Sequence, residues 1–236
     1  MSLPTRYAGW MVRDLALGAG IWMAVLTVVA ALLVSNIQVV GPVGDVAQGA
    51  CLEALNLTAI TLTLLAAGGL VSADFAIGHQ RTLFAKPVSP PLYYLQRWLI
   101  GAVAVFVGTT VVAQTIARRF DLALLGPGFF ARLALLYLVI GGLVFLMSTL
   151  IRGDWLAVAA LLAWQTFVSM ARGMGMERGP IGVVLDLILP PRPLLRLGDP
   201  LPDGAALVHV LVYGSLVLLG ALALLRWRPL ARGARE

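Results

Sequence analysis

Apolar residues gather in six runs, at 15–34, 54–71, 98–117, 129–151, 155–171 and 205–225, and the segments between them hold every charged residue except Arg132. A helix rises about 1.5 Å per residue and the hydrocarbon core of a bilayer is about 30 Å thick, so about 20 apolar residues make one crossing. All six runs are near that length, with 155–171 the shortest. The pattern predicts an all-α integral membrane protein built as one transmembrane domain. Spans one and two fill 15–71, a cytoplasmic loop fills 72–97, spans three to five fill 98–171, an outer segment fills 172–204, the last span fills 205–225 and a tail fills 226–236. Six crossings return both termini to one side.

The flanks carry weaker patterns. Residues 3–14, "LPTRYAGWMVRD", put Tyr7, Trp10 and Met11 on one side and Arg6 and Arg13 toward the other, as in a short helix lying in the membrane interface; a frayed tail is the alternative. The run after Arg13 is too long for a signal-peptide core and has no small-x-small site behind it, so it reads as a membrane anchor. In the outer segment, 180–189 is an apolar stretch too short to cross, bounded by Pro180 on one side and Pro190 and Pro191 on the other. It reads as a short re-entrant helix before the last span, acting either as a structural lid or as a closure over the outer mouth of a pathway. Asp186 within it is expected to be solvated or paired with an arginine such as Arg192.

Composition agrees with a bilayer environment. The chain is 60% hydrophobic with a mean hydropathy of +0.94, and only 12% charged, against about 25% in soluble domains. Cys51 is the single cysteine, with no second thiol or histidine at metal-ligand spacing, and reads as a small buried residue. The net charge of +6 comes from sixteen arginines and Lys86 scattered between the apolar runs, which fits topology and anionic lipid, with no nucleic acid partner. Ten basic residues fall on the side of the termini and seven on the other. The positive-inside rule therefore places both termini and the 72–97 loop in the cytoplasm.

The runs lack the groups that drive coupled transport. None has a carboxylate in its centre, whereas a proton- or sodium-coupled carrier needs ionisable groups near the midplane. Arg132 is close enough to a span end to snorkel to the outer interface, and His209 lies near the outer end of the last span. Neutral polar residues remain, among them Asn56, Thr58, Thr61, Thr63, Gln114, Thr115, Gln165 and Thr166. Hydrogen bonding between helices is their first reading, and Asn56, Thr63 and Gln165 are the best candidates for lining a polar path. A phosphate-binding loop needs Lys followed by Ser or Thr, but Lys86 is followed by Pro87. No H-E-x-x-H, G-x-S-x-G or C-x-x-C is present, and no metal site or catalytic residue is assigned. The chain reads as no enzyme by itself, and any work it performs draws on a partner's energy.

The largest polar interruption is "SADFAIGHQRTLFAKPVSPPLYYLQRW", residues 72–98. Residues 77–85 allow about two helical turns, with Ile77, Leu83 and Phe84 on one side and His79, Gln80 and Arg81 toward the other. Pro87 stops that helix, and Ser89, Pro90 and Pro91 stiffen the loop and start a new one. Tyr93, Tyr94 and Trp98 form an aromatic belt at the entrance of the third span.

The order of Asp74, Gly78, Leu83 and Phe84, then Pro87-Val88-Ser89, then Tyr93 and Tyr94, resembles the permease subunits of ABC-2 type ABC transporters, which have the type V exporter fold. An interfacial N-terminal helix, six spans and a short outer helix before the last span resemble that family over nearly the whole chain. Two positions depart from it. "HQRT" follows Gly78 where Gly-Thr-Leu-Glu is common, and Gln96-Arg97 stands where Gly-Lys is common.

The resemblance implies a membrane permease subunit, an exporter, in a bacterial inner membrane. Its partners would be an ABC-type ATP-binding subunit, the bilayer, and a second copy or a related permease completing a dimer. ATP and magnesium would reside on the ATP-binding subunit, leaving no cofactor on this chain. Asp74, Gly78, His79, Gln80, Arg81, Leu83 and Phe84 would form the coupling helix that contacts that subunit. Two alternatives stand beside it: a non-transporting membrane scaffold or assembly subunit, and a passive channel.

Overall fold

The computed structural model describes residues 5–37, 43–72, 74, 89–151, 156, 158–160, 163, 195–199 and 203–227. Helices account for their regular structure, without a strand among them. They are α1 (Thr5–Leu17), α2 (Ala19–Ser35), α3 (Val43–Ala67), α4 (Pro90–Phe120), α5 (Pro127–Leu136), a π-helical turn (Tyr137–Gly141), α6 (Gly142–Leu150) and α7 (Gly204–Trp227). Among the described residues, four helices are long and apolar enough to cross a membrane: Val46–Ala67, Pro90–Phe120, Pro127–Leu150 and Gly204–Arg226. A fifth arises if α1 and α2, bent by 55°, count as one. The chain is a membrane-embedded helical protein, with four to five such helices among the described residues. Most of the expected span 155–171, the expected helix 77–85 and the outer helix 180–189 lie outside the described residues.

Helix boundaries differ from the apolar runs for local reasons. α4 begins at Pro90, eight residues before the run at 98, and its 31 residues make about 46 Å of helix. Gln96 and Arg97 lower hydropathy without opposing helix, and proline is tolerated in a first turn, where its missing N–H has no intrahelical partner. The far end of α4 stops at Asp121, whose left-handed backbone (φ 52°) turns the Leu122 N–H back onto the Ala117 carbonyl at 3.0 Å. α3 likewise starts at Val43, upstream of the run at 54, because the polar Gln48 and Glu53 are good helix formers.

In α1 the inward face is Tyr7 and Met11, one turn apart, with Met11 1% exposed, whereas Trp10 points out at 41%. The expected apolar face of Tyr7, Trp10 and Met11 is thus split by packing against the bundle. The bend to α2 needs glycine at position 20, where a Cβ would lie 2.7 Å from the Leu15 carbonyl oxygen.

Between apolar helices in lipid no hydrophobic force acts, so close backbone approach and hydrogen bonds carry the packing. At Gly108 on α4, a Cβ would lie 2.8 Å from Thr27 Oγ1 of α2 and 3.0 Å from Leu62 Cδ1 of α3. The Tyr137 hydroxyl, at the start of the π-turn, donates to the Trp98 carbonyl at 2.7 Å, and the two rings lie 4.7 Å apart. Large apolar side chains on α2, α4 and α7, including Trp22, Leu33, Val103, Val107, Val208 and Leu216, face outward, as lipid contact requires.

Candidate functional site

The chain leaves α3 for the polar segment through a short, closely held turn. Gly68 N–H donates to the Leu64 carbonyl at 2.8 Å, and Gly69 adopts φ 70°, a conformation most side chains disfavour. The next two amides, Val71 and Ser72, both donate to Ser148 Oγ of α6, at 2.9 and 3.0 Å, and Ser148 Oγ lies 3.5 Å from Ser72 Oγ. One buried hydroxyl thus satisfies two main-chain donors of the turn that follows α3.

Two residues on, Asp74 is 5% exposed. Arg97 of α4 donates from Nη1 to both its carboxylate oxygens, at 3.2 and 3.1 Å, and reaches the Leu70 carbonyl at 3.4 Å. From Nη2 it donates to Asp14 Oδ2 of α1 at 2.7 Å. Arg97 lies two turns into the helix that begins at Pro90, whose preceding Ser89 accepts the Tyr93 N–H at 3.1 Å. The entrance to the polar segment, its exit into α4, and the N-terminal helix are therefore joined by one guanidinium. A planar fork with five donors suits such a node better than an ammonium would.

A second cluster lies toward the opposite end of the helices. Arg132, 3% exposed, donates from Nη1 to the Arg196 carbonyl at 2.6 Å. Asn56 Oδ1 accepts the Leu197 N–H at 2.8 Å while its Nδ2 donates to Leu52 O at 3.1 Å, and Arg196 pairs with Glu53 at 3.2 Å. Arg132 is thus buried and fastens 195–199 to α5, while Asn56 fastens the same stretch to α3.

Among the sequence-derived candidates, Asp74, Ser89, Pro90, Asn56 and Thr63 have described positions. Gly78, His79, Gln80, Arg81, Leu83, Phe84, Pro87 and Gln165 lie outside the described residues. Ser89 and Pro90 open α4, and Asp74 is joined to that helix two turns in, through Arg97. Thr63 is fully buried, with its hydroxyl bonded to the Ala59 carbonyl at 2.8 Å. Thr58 and Thr61 likewise bond one turn back in α3, at 2.7 and 2.8 Å, so their hydroxyls are satisfied within their own helix rather than between helices. Sequence reasoning missed Arg97, Asp14, Ser72 and Ser148 as a group. The available signal was opposite charge at helix ends on one side of the membrane; nothing local marks Ser148.

Ser148→Ala is expected to lower stability by about 1–3 kcal/mol, since it strands two buried N–H groups. Thermal unfolding of the purified chain in detergent measures this, and an unchanged midpoint would remove Ser148 from the node. Comparison of the chain with protein-family models, with curated proteins and with solved structures finds no match.

Proposed function

We propose that this chain is the permease subunit of an ABC-2 type transporter, an exporter that couples ATP hydrolysis on a separate ATP-binding subunit to substrate movement. The observation that carries this reading is the anchoring of the polar segment at both ends: by Ser148 and Arg97 where it leaves α3, and by the start of α4 where it ends. A push on a segment so anchored would pass into α3, α4 and α6, whereas a loosely tethered loop would absorb it. The chain's one lysine precedes proline and forms no phosphate-binding loop, which agrees with ATP hydrolysis on a partner.

In this reading Asp74, buried and committed to Arg97, anchors the loop. The contact with the ATP-binding subunit falls on Gly78, His79, Gln80, Arg81, Leu83 and Phe84. The outward apolar face of α7 leaves room for a second permease copy, with the pathway between the two. The expected location is a bacterial inner membrane with both termini cytoplasmic.

Purification from native membranes is expected to recover an ATP-binding-cassette subunit in stoichiometric amount. Arg81→Glu or Gly78→Pro should cut partner-stimulated ATP hydrolysis at least tenfold, roughly the weight of one well-placed contact. Recovery with other membrane proteins and no ATPase would favour the scaffold reading and overturn this one.

A further inference from the structure

Where α1 bends into α2, the two helices and α4 enclose an apolar groove of about 600 Å³, lined by Val12, Leu15, Ile21, Ala24, Val103 and Ala104 among others. We propose that this groove holds one acyl chain of an anionic phospholipid whose headgroup lies against Arg13.

Depth is the first argument. The α4 lining begins at Ile100, three residues and about 4.5 Å along the helix from Arg97. The groove therefore opens just below the level of the Asp14–Arg97 ion pair and runs into the apolar zone, as a chain hanging from a headgroup does. Volume is the second. A helix with its side chains is about 10–12 Å across, so 600 Å³ takes less than about two turns of one. A single thread of methylenes suits that space better than a helix of a second copy.

Charge is the third. Asp14 turns toward Arg97, while the neighbouring Arg13 is exposed and makes no ion pair among the described residues. Val12, Leu15 and Ala16 line the groove, so Arg13 flanks it on the same helix. A basic flank beside an apolar slot matches a phosphate with its acyl chain and gives no reason to hold a zwitterionic lipid equally well.

The test uses the full chain in detergent, exposed to phosphatidylglycerol or phosphatidylcholine, with retained lipid counted by native mass spectrometry. One phosphatidylglycerol per chain is expected to survive washing, with a preference over phosphatidylcholine of about fivefold for one arginine near the surface. Arg13→Gln should abolish the preference. Ala24→Phe and Ala104→Phe, which fill the groove, should remove retention of both lipids. Val208→Phe, on α7 at a position that is 59% exposed and away from the groove, should leave retention unchanged and controls for folding. Equal retention of the two lipids by the unaltered chain overturns the proposal, as does full retention by the filled variants. Filled variants that lose self-association while keeping their lipid would assign the groove to a second copy, and overturn it too.

Discussion

Arg97→Met is expected to lower the stability of the purified chain by about 3–5 kcal/mol, the usual cost of removing one member of a buried ion pair. The reason lies in what remains: Asp74, with its side chain 7% exposed, is left buried without its cation, and the Leu70 carbonyl loses a donor. Asp14, whose side chain is 41% exposed, has solvent to turn to. Asp14→Asn should therefore cost about 0–1 kcal/mol, as a half-exposed pair does. The double variant R97M/D74L removes the stranded charge and is expected to recover most of the loss, because apolar replacement of a buried pair is often neutral. Denaturant unfolding followed by circular dichroism measures all three. If the double variant proves as unstable as the single one, the ion pair is not what holds the segment.

Gly108→Ala is the second large effect, expected to destabilise by about 1–3 kcal/mol through overpacking. The added methyl would meet Thr27 Oγ1 and Leu62 Cδ1 at 3.0 Å or less, and neither neighbour yields easily. Thr27 is held by its bond to the Met23 carbonyl at 2.8 Å, and Leu62 is fully buried. The same change at Gly49 in α3, where nothing lies within 4 Å, should instead stabilise by up to about 1 kcal/mol, since alanine is the better helix former. Opposite signs at the two glycines in thermal unfolding would tie the cost to helix approach; equal signs would refute that.

Hydropathy is a local signal, and it was legible for local features. Membrane embedding, the all-helical class and the rough positions of the helices around 98–117, 129–151 and 205–225 were readable from apolar runs. Boundaries were less so, because Gln96, Arg97, Gln48 and Glu53 are polar yet compatible with helix. The break between α1 and α2 was missed: Gly18 and Gly20 look like ordinary small residues in an apolar run until the Leu15 carbonyl is found beside position 20. The node at the start of α4 was illegible for a different reason. Its partners lie 83, 77, 76 and 23 residues apart in sequence, and no periodicity links such positions. The threonines of α3 show the reverse case: polar side chains that invite a long-range role are satisfied one turn back.

The π-turn at Tyr137–Gly141 has a consequence for how this span can be altered. An α-helix advances about 100° per residue, so the extra residue of a π-turn resets the phase of everything after it. Arg132 before the turn addresses Arg196, and Ser148 after it addresses Val71 and Ser72. The span thus works as two dials on one shaft, each set to a different end of the protein. Deleting one residue within the turn would leave hydropathy and length almost untouched, yet it would turn one dial out of alignment with the other.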